Sequence, residues 1–153
     1  PGVGADLAQQ AFDVFYDQRS QLQLFDGALA SLEWLQQRYL VIALTNGNAD
    51  LERVGIRHLF NEHFNAEQTG AAKPAPDLFL AALRHASVEP EECLHIGDHP
   101  QQDIEAARQL GIHTLWINVL GQSWPEELAA PALQTDHLIR LPDLIRTLAA
   151  SLD

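Results

Sequence analysis

The chain has 153 residues, 46% of them hydrophobic, and a formal net charge of −12. That is the size of one domain with enough apolar side chains for a core, and no apolar run approaches the ~18 residues of a membrane span. The acidic balance argues against non-specific nucleic-acid binding, which depends on basic side chains neutralising phosphates, but a small anionic ligand meets a local field and stays open.

In chain order, residues 6–22 read as a helix. Asp6 suits an N-cap, and Leu7, Ala11, Val14, Phe15 and Leu22 fall on one broad face. Asp26-Gly27 signals a turn. Residues 28–37 form a second amphipathic helix, with Leu29, Leu32 and Leu35 predicted to be buried. Residues 39–44 are a continuous apolar run, the pattern of a strand buried on both faces. A helix over 49–59 follows, weakened by Gly55, then a short strand over 64–67 and a helix over 76–86 with Pro76 near its first turn. Residues 93–96 read as a short buried strand, 100–110 as a helix stopped by Gly111, and 114–117 as a strand. The spacing then allows a helix over 126–133, a short edge strand over 137–139 and a closing helix over 142–152. This alternation predicts an α/β fold: a parallel sheet with helices on both faces. Cys93 starts a strand and reads as core. As the single cysteine it rules out an internal disulfide and fits a cytoplasmic location.

Ligands of such sheets bind at the carboxyl ends of the strands, and three polar stretches are placed to do so. Thr45-Asn46-Gly47 offers a hydroxyl, an amide and backbone N–H groups suited to an oxyanion or phosphate; the alternative is a plain Asn-Gly turn. Lys73 is the single lysine among nine basic residues, the other eight being arginine. A lysine is a compact charge able to neutralise phosphate; the alternative is a solvated surface side chain. Asp98 and Asp103 are two carboxylates five residues apart, one at a strand end and one in the first turn of a helix. Hard cations take such oxygen ligands; the alternative is a turn residue and a carboxylate at a helix N-terminus. The remaining histidines show no metal-ligand spacing, and His95 reads as a packed strand residue.

Taken in order, these stretches resemble the haloacid dehalogenase superfamily of hydrolases. Ala43-Leu44-Thr45-Asn46-Gly47 resembles its second motif, Lys73-Pro74 its third, and His95-Ile96-Gly97-Asp98 with Asp103 its fourth. The ordered set over residues 25–120 is more specific than any member. The resemblance implies a three-layer Rossmann-like core. In it Thr45, Asn46 and Gly47 hold the transferring phosphate, and Lys73 steadies phosphate and nucleophile. Asp98 binds magnesium (Mg2+), and Asp103 ligates the ion indirectly or orients Lys73. It implies a phosphatase working through an aspartyl-phosphate on a small phosphorylated metabolite. Haloacid dehalogenases proper use the same nucleophile without metal and generally lack the acidic Gly-Asp, so Asp98 favours the phosphatase over that alternative.

The family's first motif, an apolar strand ending in Asp-x-Asp that supplies nucleophile and general acid, has no counterpart in this chain; Asp13 and Asp17 stand in a helical pattern with the wrong spacing. The resemblance therefore implies that residues 1–24 are the remnant of a helical cap and 25–153 an incomplete core, missing its central first strand. The isolated chain is expected to be inactive, its open sheet edges completed by a complementing N-terminal fragment or by self-association. A non-catalytic α/β binding module is the remaining alternative.

Overall fold

The computed structural model describes residues 24–47 and 50–152. The helix read over 6–22, and with it the cap remnant except Leu24, lies outside the described residues. The strands are β1 (Ile42–Thr45), β2 (Glu62–Asn65), β3 (Leu94–Gly97), β4 (His113–Ile117) and β5 (Gln134–Thr135), interleaved with helices. Every described pairing is parallel: β1 with β2, β3 with β4, and β4 with β5. Among the described residues the strands form two separate sheets, β1-β2 and β3-β4-β5, so β1 and β3 each have a partner at one edge.

Helices cover both faces of these strands. One core cluster joins Phe79 of the helix Asp77–Ala86 to Ala106, Ala107 and Ile112, with Leu44 and Cys93 against it. The other joins Leu115 to Leu138, Leu141 and Ile145, with Trp34, Leu35, Leu94 and Ile96 against it. Successive strand side chains point to opposite faces, and Cys93 and Leu94 accordingly enter opposite clusters. No helix among the described residues is long and apolar enough to cross a membrane.

Several boundaries differ from the sequence pattern, each for a local reason. The strand expected at 39–44 is Ile42–Thr45 and only half-buried, while Leu40 is 53% exposed; β1 is paired at one edge, so its apolar run is not enclosed. In the helix Ala28–Gln36 the buried residue is Ser31, whose hydroxyl donates to the Leu138 carbonyl at 2.7 Å, whereas Leu29 is exposed. The helix expected at 49–59 is a single turn, Leu51–Val54, closed by Gly55 at φ +80°, with the 3-10 turn Arg57–Leu59 after it. A side chain strains that left-handed conformation, and glycine does not. The strand expected at 64–67 sits earlier, at Glu62–Asn65, because Asn65 caps the next helix through a reciprocal bond with Gln68.

The helix expected from residue 100 begins as a π-helical turn, Pro100–Glu105, in which the His99 carbonyl accepts from both Asp103 and Ile104. Residues 126–133 are not helical. Pro131 disfavours the α conformation of the residue before it, and the Trp124 indole N–H instead reaches the Leu128 carbonyl across a turn. The edge strand expected at 137–139 is Gln134–Thr135; residues Leu138–Arg140 are a 3-10 turn leading into Leu141–Leu152.

Candidate active site

Parallel strands present their carboxyl ends on one side of a sheet, and the polar residues after β1 and β3 meet there. Lys73 joins them. Its side chain is 10% exposed, and its ammonium lies 2.5 Å from Asp103 Oδ1 and 3.1 Å from the Leu44 carbonyl of β1. Asp103 is 4% exposed. Its Oδ1 also lies 3.3 Å from His95 Nε2, and its Oδ2 accepts the His99 backbone N–H at 3.0 Å. Burial pushes the Asp103 carboxyl up. The His95 hydrogen bond, then the charge and hydrogen bond of Lys73, outweigh burial and hold it well below the usual carboxylate range. His95 itself packs edge-on against Phe79, with ring centroids 4.9 Å apart, which agrees with its reading as a packed strand residue.

Gly97 lets this arrangement close. A Cβ at that position would lie 2.5 Å from the Cβ and Cγ of Asp103, so only a residue without a side chain fits between β3 and the buried carboxylate. Gly97→Ala should cost about 1–3 kcal/mol through overpacking and loosen the Asp103–Lys73 pair. Chemical denaturation measures the cost, and a midpoint equal to that of the parent would show that Asp103 yields freely.

The turn after β1 is tightly bonded. Thr45 Oγ1 accepts the Gly47 N–H at 3.0 Å, so that amide, expected to face a ligand, is engaged in shaping the turn. The Asn46 side chain reaches the backbone of Lys73 and the side chain of Gln102. Asp98, by contrast, is exposed. Its carbonyl accepts the Trp116 indole N–H at 2.9 Å. Trp116 is 3% exposed and stacks edge-on against Trp124 at 4.9 Å, so a rigid aromatic pair holds the backbone from which the Asp98 carboxylate projects. A groove of about 340 Å³ opens beside Asp98, lined among others by Phe25, Ile96, Asn118 and Leu138.

The structure thus links Asn46, Lys73 and Asp103 by hydrogen bonds, with Thr45 shaping the turn that carries Asn46 and with Asp98 exposed next to His99, whose N–H holds Asp103. Sequence reasoning missed Gln102 and Trp116. A tryptophan in a buried strand announces a need for a partner for its N–H, whereas nothing local marks Gln102. As a metal site the set is lean. No cluster of three or more His, Cys, Asp or Glu residues able to hold an ion occurs among the described residues, and both oxygens of Asp103 have protein partners. Asp98 remains as an exposed carboxylate. One such ligand fits magnesium, which keeps several waters and binds through one or two carboxylates plus substrate phosphate.

A family model described as haloacid dehalogenase-like hydrolase matches residues 2–111. Among curated relatives, the phosphoserine phosphatase of Thermus thermophilus is 34% identical over 76% of this chain and 49% of its own length. The glyceraldehyde 3-phosphate phosphatase of Methanopyrus kandleri is 30% identical over 96% of this chain and 69% of its own. Among solved structures, a 2-haloacid dehalogenase from Pseudomonas syringae pv. Tomato DC3000 superposes with a TM-score of 0.86 at 37% identity, covering 94% of this chain and 62% of that one. The chain thus spans about half of the first of these proteins and under two thirds of the dehalogenase.

Proposed function

Because the chain belongs to the haloacid dehalogenase-like hydrolases, matched over residues 2–111, we propose that it carries most of the site of a magnesium-dependent phosphatase for a small phosphorylated metabolite. The observation that carries this reading is the exposed Asp98 carboxylate beside a buried Lys73–Asp103 pair at the carboxyl ends of β1 and β3. Asp98 would hold the ion, and the ion when bound would screen phosphate charge. Thr45 and the backbone N–H of Asn46 would receive phosphate oxygens. Lys73 would neutralise the phosphate and an attacking carboxylate, while Asp103 orients Lys73 and reaches the ion at most indirectly.

The attacking aspartate and its general acid would come from a strand outside the described residues. The edges of β1 and β3 that have no partner among the described residues support this: Lys73 ties the Leu44 carbonyl of β1 to Asp103 after β3, yet among the described residues no ladder joins the two sheets. On this reading residues 1–24 belong to a cap, residues 25–153 to the core, and a complementing segment or a second copy supplies the missing strand.

The similarity to the Pseudomonas syringae dehalogenase favours a second reading, carbon–halogen hydrolysis by the same kind of carboxylate nucleophile. That chemistry gives Asp98 no ion to hold. The two are separated by assaying the natural full-length protein for phosphate release from an aryl phosphate and halide release from a 2-haloacid, each with magnesium and with chelator. The phosphatase reading expects phosphate release that chelator stops. Halide release indifferent to chelator would replace it. The 153-residue chain alone is expected to release neither, and turnover by it that Asp98→Ala abolishes would mean that the nucleophile lies within the chain.

A further inference from the structure

Both ends of the Asn46 side-chain amide are bonded to the protein. Its Oδ1 accepts the Lys73 backbone N–H at 2.6 Å, and its Nδ2 donates to the Lys73 carbonyl at 2.8 Å and to Gln102 Oε1 at 2.9 Å. A carboxamide offers two N–H donors and a carbonyl oxygen with two lone pairs; here both donors and one lone pair are engaged. The bonds continue from Gln102. Its backbone N–H donates to His99 Nδ1 at 3.2 Å, the His99 N–H donates to Asp103 Oδ2, and Asp103 Oδ1 receives the Lys73 ammonium. The result is a closed ring of hydrogen bonds through three loops, starting and ending at Lys73.

We propose that the side-chain amide of Asn46 positions Lys73 rather than holding substrate, which leaves the Asn46 backbone N–H for phosphate, and that Gln102 ties this clasp to the acidic turn after β3. A lysine is a point charge on a flexible four-carbon stem, so the place of its ammonium depends on both ends of that stem. Asp103 and the Leu44 carbonyl hold the far end. Asn46 holds the near end, gripping the peptide groups on both sides of the Lys73 Cα. Turning the amide toward a substrate would release both grips and the link to Gln102 together. The proposal rests on the phosphatase reading only for what Lys73 does once positioned.

Lys73 is the single lysine of the chain, so labelling with 15N-lysine gives one backbone amide signal, that of Lys73, in the 153-residue protein. In Asn46→Ala the exchange of this amide with solvent should accelerate about tenfold or more, since the bond that protects it is lost. Acetylation of the Lys73 side chain by a succinimidyl ester, followed on the corresponding peptide, should speed up alongside. Asn46→Asp keeps an acceptor for the Lys73 N–H and should hold exchange within about threefold of the parent, a rescue that general loosening of the turn would not produce. Gln102→Ala leaves both Lys73 bonds in place and should accelerate exchange less; no acceleration at all removes Gln102 from the clasp. Should Asn46→Ala not fold, the nearly isosteric Asn46→Leu carries the same expectation. Lys73 exchange within about twofold of the parent in either folded variant overturns the assignment. The measurement uses no substrate, so its failure leaves the phosphatase reading standing, and a failed phosphatase assay leaves the clasp standing.

Discussion

Replacing Asp103 by alanine should lower the folding stability of this chain by about 3–5 kcal/mol, the usual cost of removing one partner from a buried ion pair. The side chains of Lys73 and Asp103 are 10% and 6% exposed, so the orphaned ammonium would keep little beyond the Leu44 carbonyl. A typical domain is stable by only about 5–15 kcal/mol in total, and the urea midpoint of the variant should fall accordingly. The double variant Lys73→Met with Asp103→Leu should recover most of the loss, because apolar replacement of both partners removes the desolvation cost along with the attraction. An Asp103→Ala midpoint close to the parent's would show that the pair does not hold the strands together.

The same carboxylate sets an acid limit. Its folded-state pKa is held below that of the unfolded chain, which is about 3.9 for an unperturbed aspartate. The stabilisation is therefore complete above the unfolded value and is lost as the pH falls from about 4 toward the depressed folded value. The stability gap between the parent and Asp103→Asn should narrow as the pH falls through that range.

Asp98→Ala should do the opposite of Asp103→Ala, with little effect on folding and a large one on turnover. Asp98 is exposed, and surface substitutions of this kind usually change stability by less than about 0.5 kcal/mol. In the natural full-length protein, phosphate release should drop on the order of 10³-fold, about 4 kcal/mol of transition-state stabilisation, and stimulation by magnesium should vanish. Full activity in Asp98→Ala would remove the ion from the mechanism and with it the best argument against the dehalogenase reading. The two carboxylates, five residues apart, thus differ in setting: Asp103 is buried and paired with Lys73, and Asp98 is exposed.

Much of this was legible in the chain itself. Val41, Ile42, Ala43 and Leu44 run without interruption into Thr45-Asn46-Gly47, and Leu94, His95 and Ile96 run into Gly97-Asp98; such runs and their polar stops are local patterns, readable without knowing what lies next to them. Where reading by period failed, a specific side-chain bond or proline intervened. Asn65 capped a helix early, Pro131 disfavoured helical backbone at Ala130 within the non-helical stretch 126–133, and the His99 carbonyl drew two N–H groups into a π turn.

By itself, then, the sequence determined the alternation of strands and helices, the parallel sense of the strands, and which polar residues stand at strand ends. These follow from periodicity and turn chemistry within a few residues. Only the tertiary structure decided which of those residues meet. Lys73 reaches Asp103 across 30 positions and Asn46 reaches Gln102 across 56. No local pattern encodes such contacts, because they depend on how Gly97 lets Asp103 approach β3 and on how the loops of β1 and β3 converge. That convergence buries Asp103 against Lys73 and leaves Asp98 exposed.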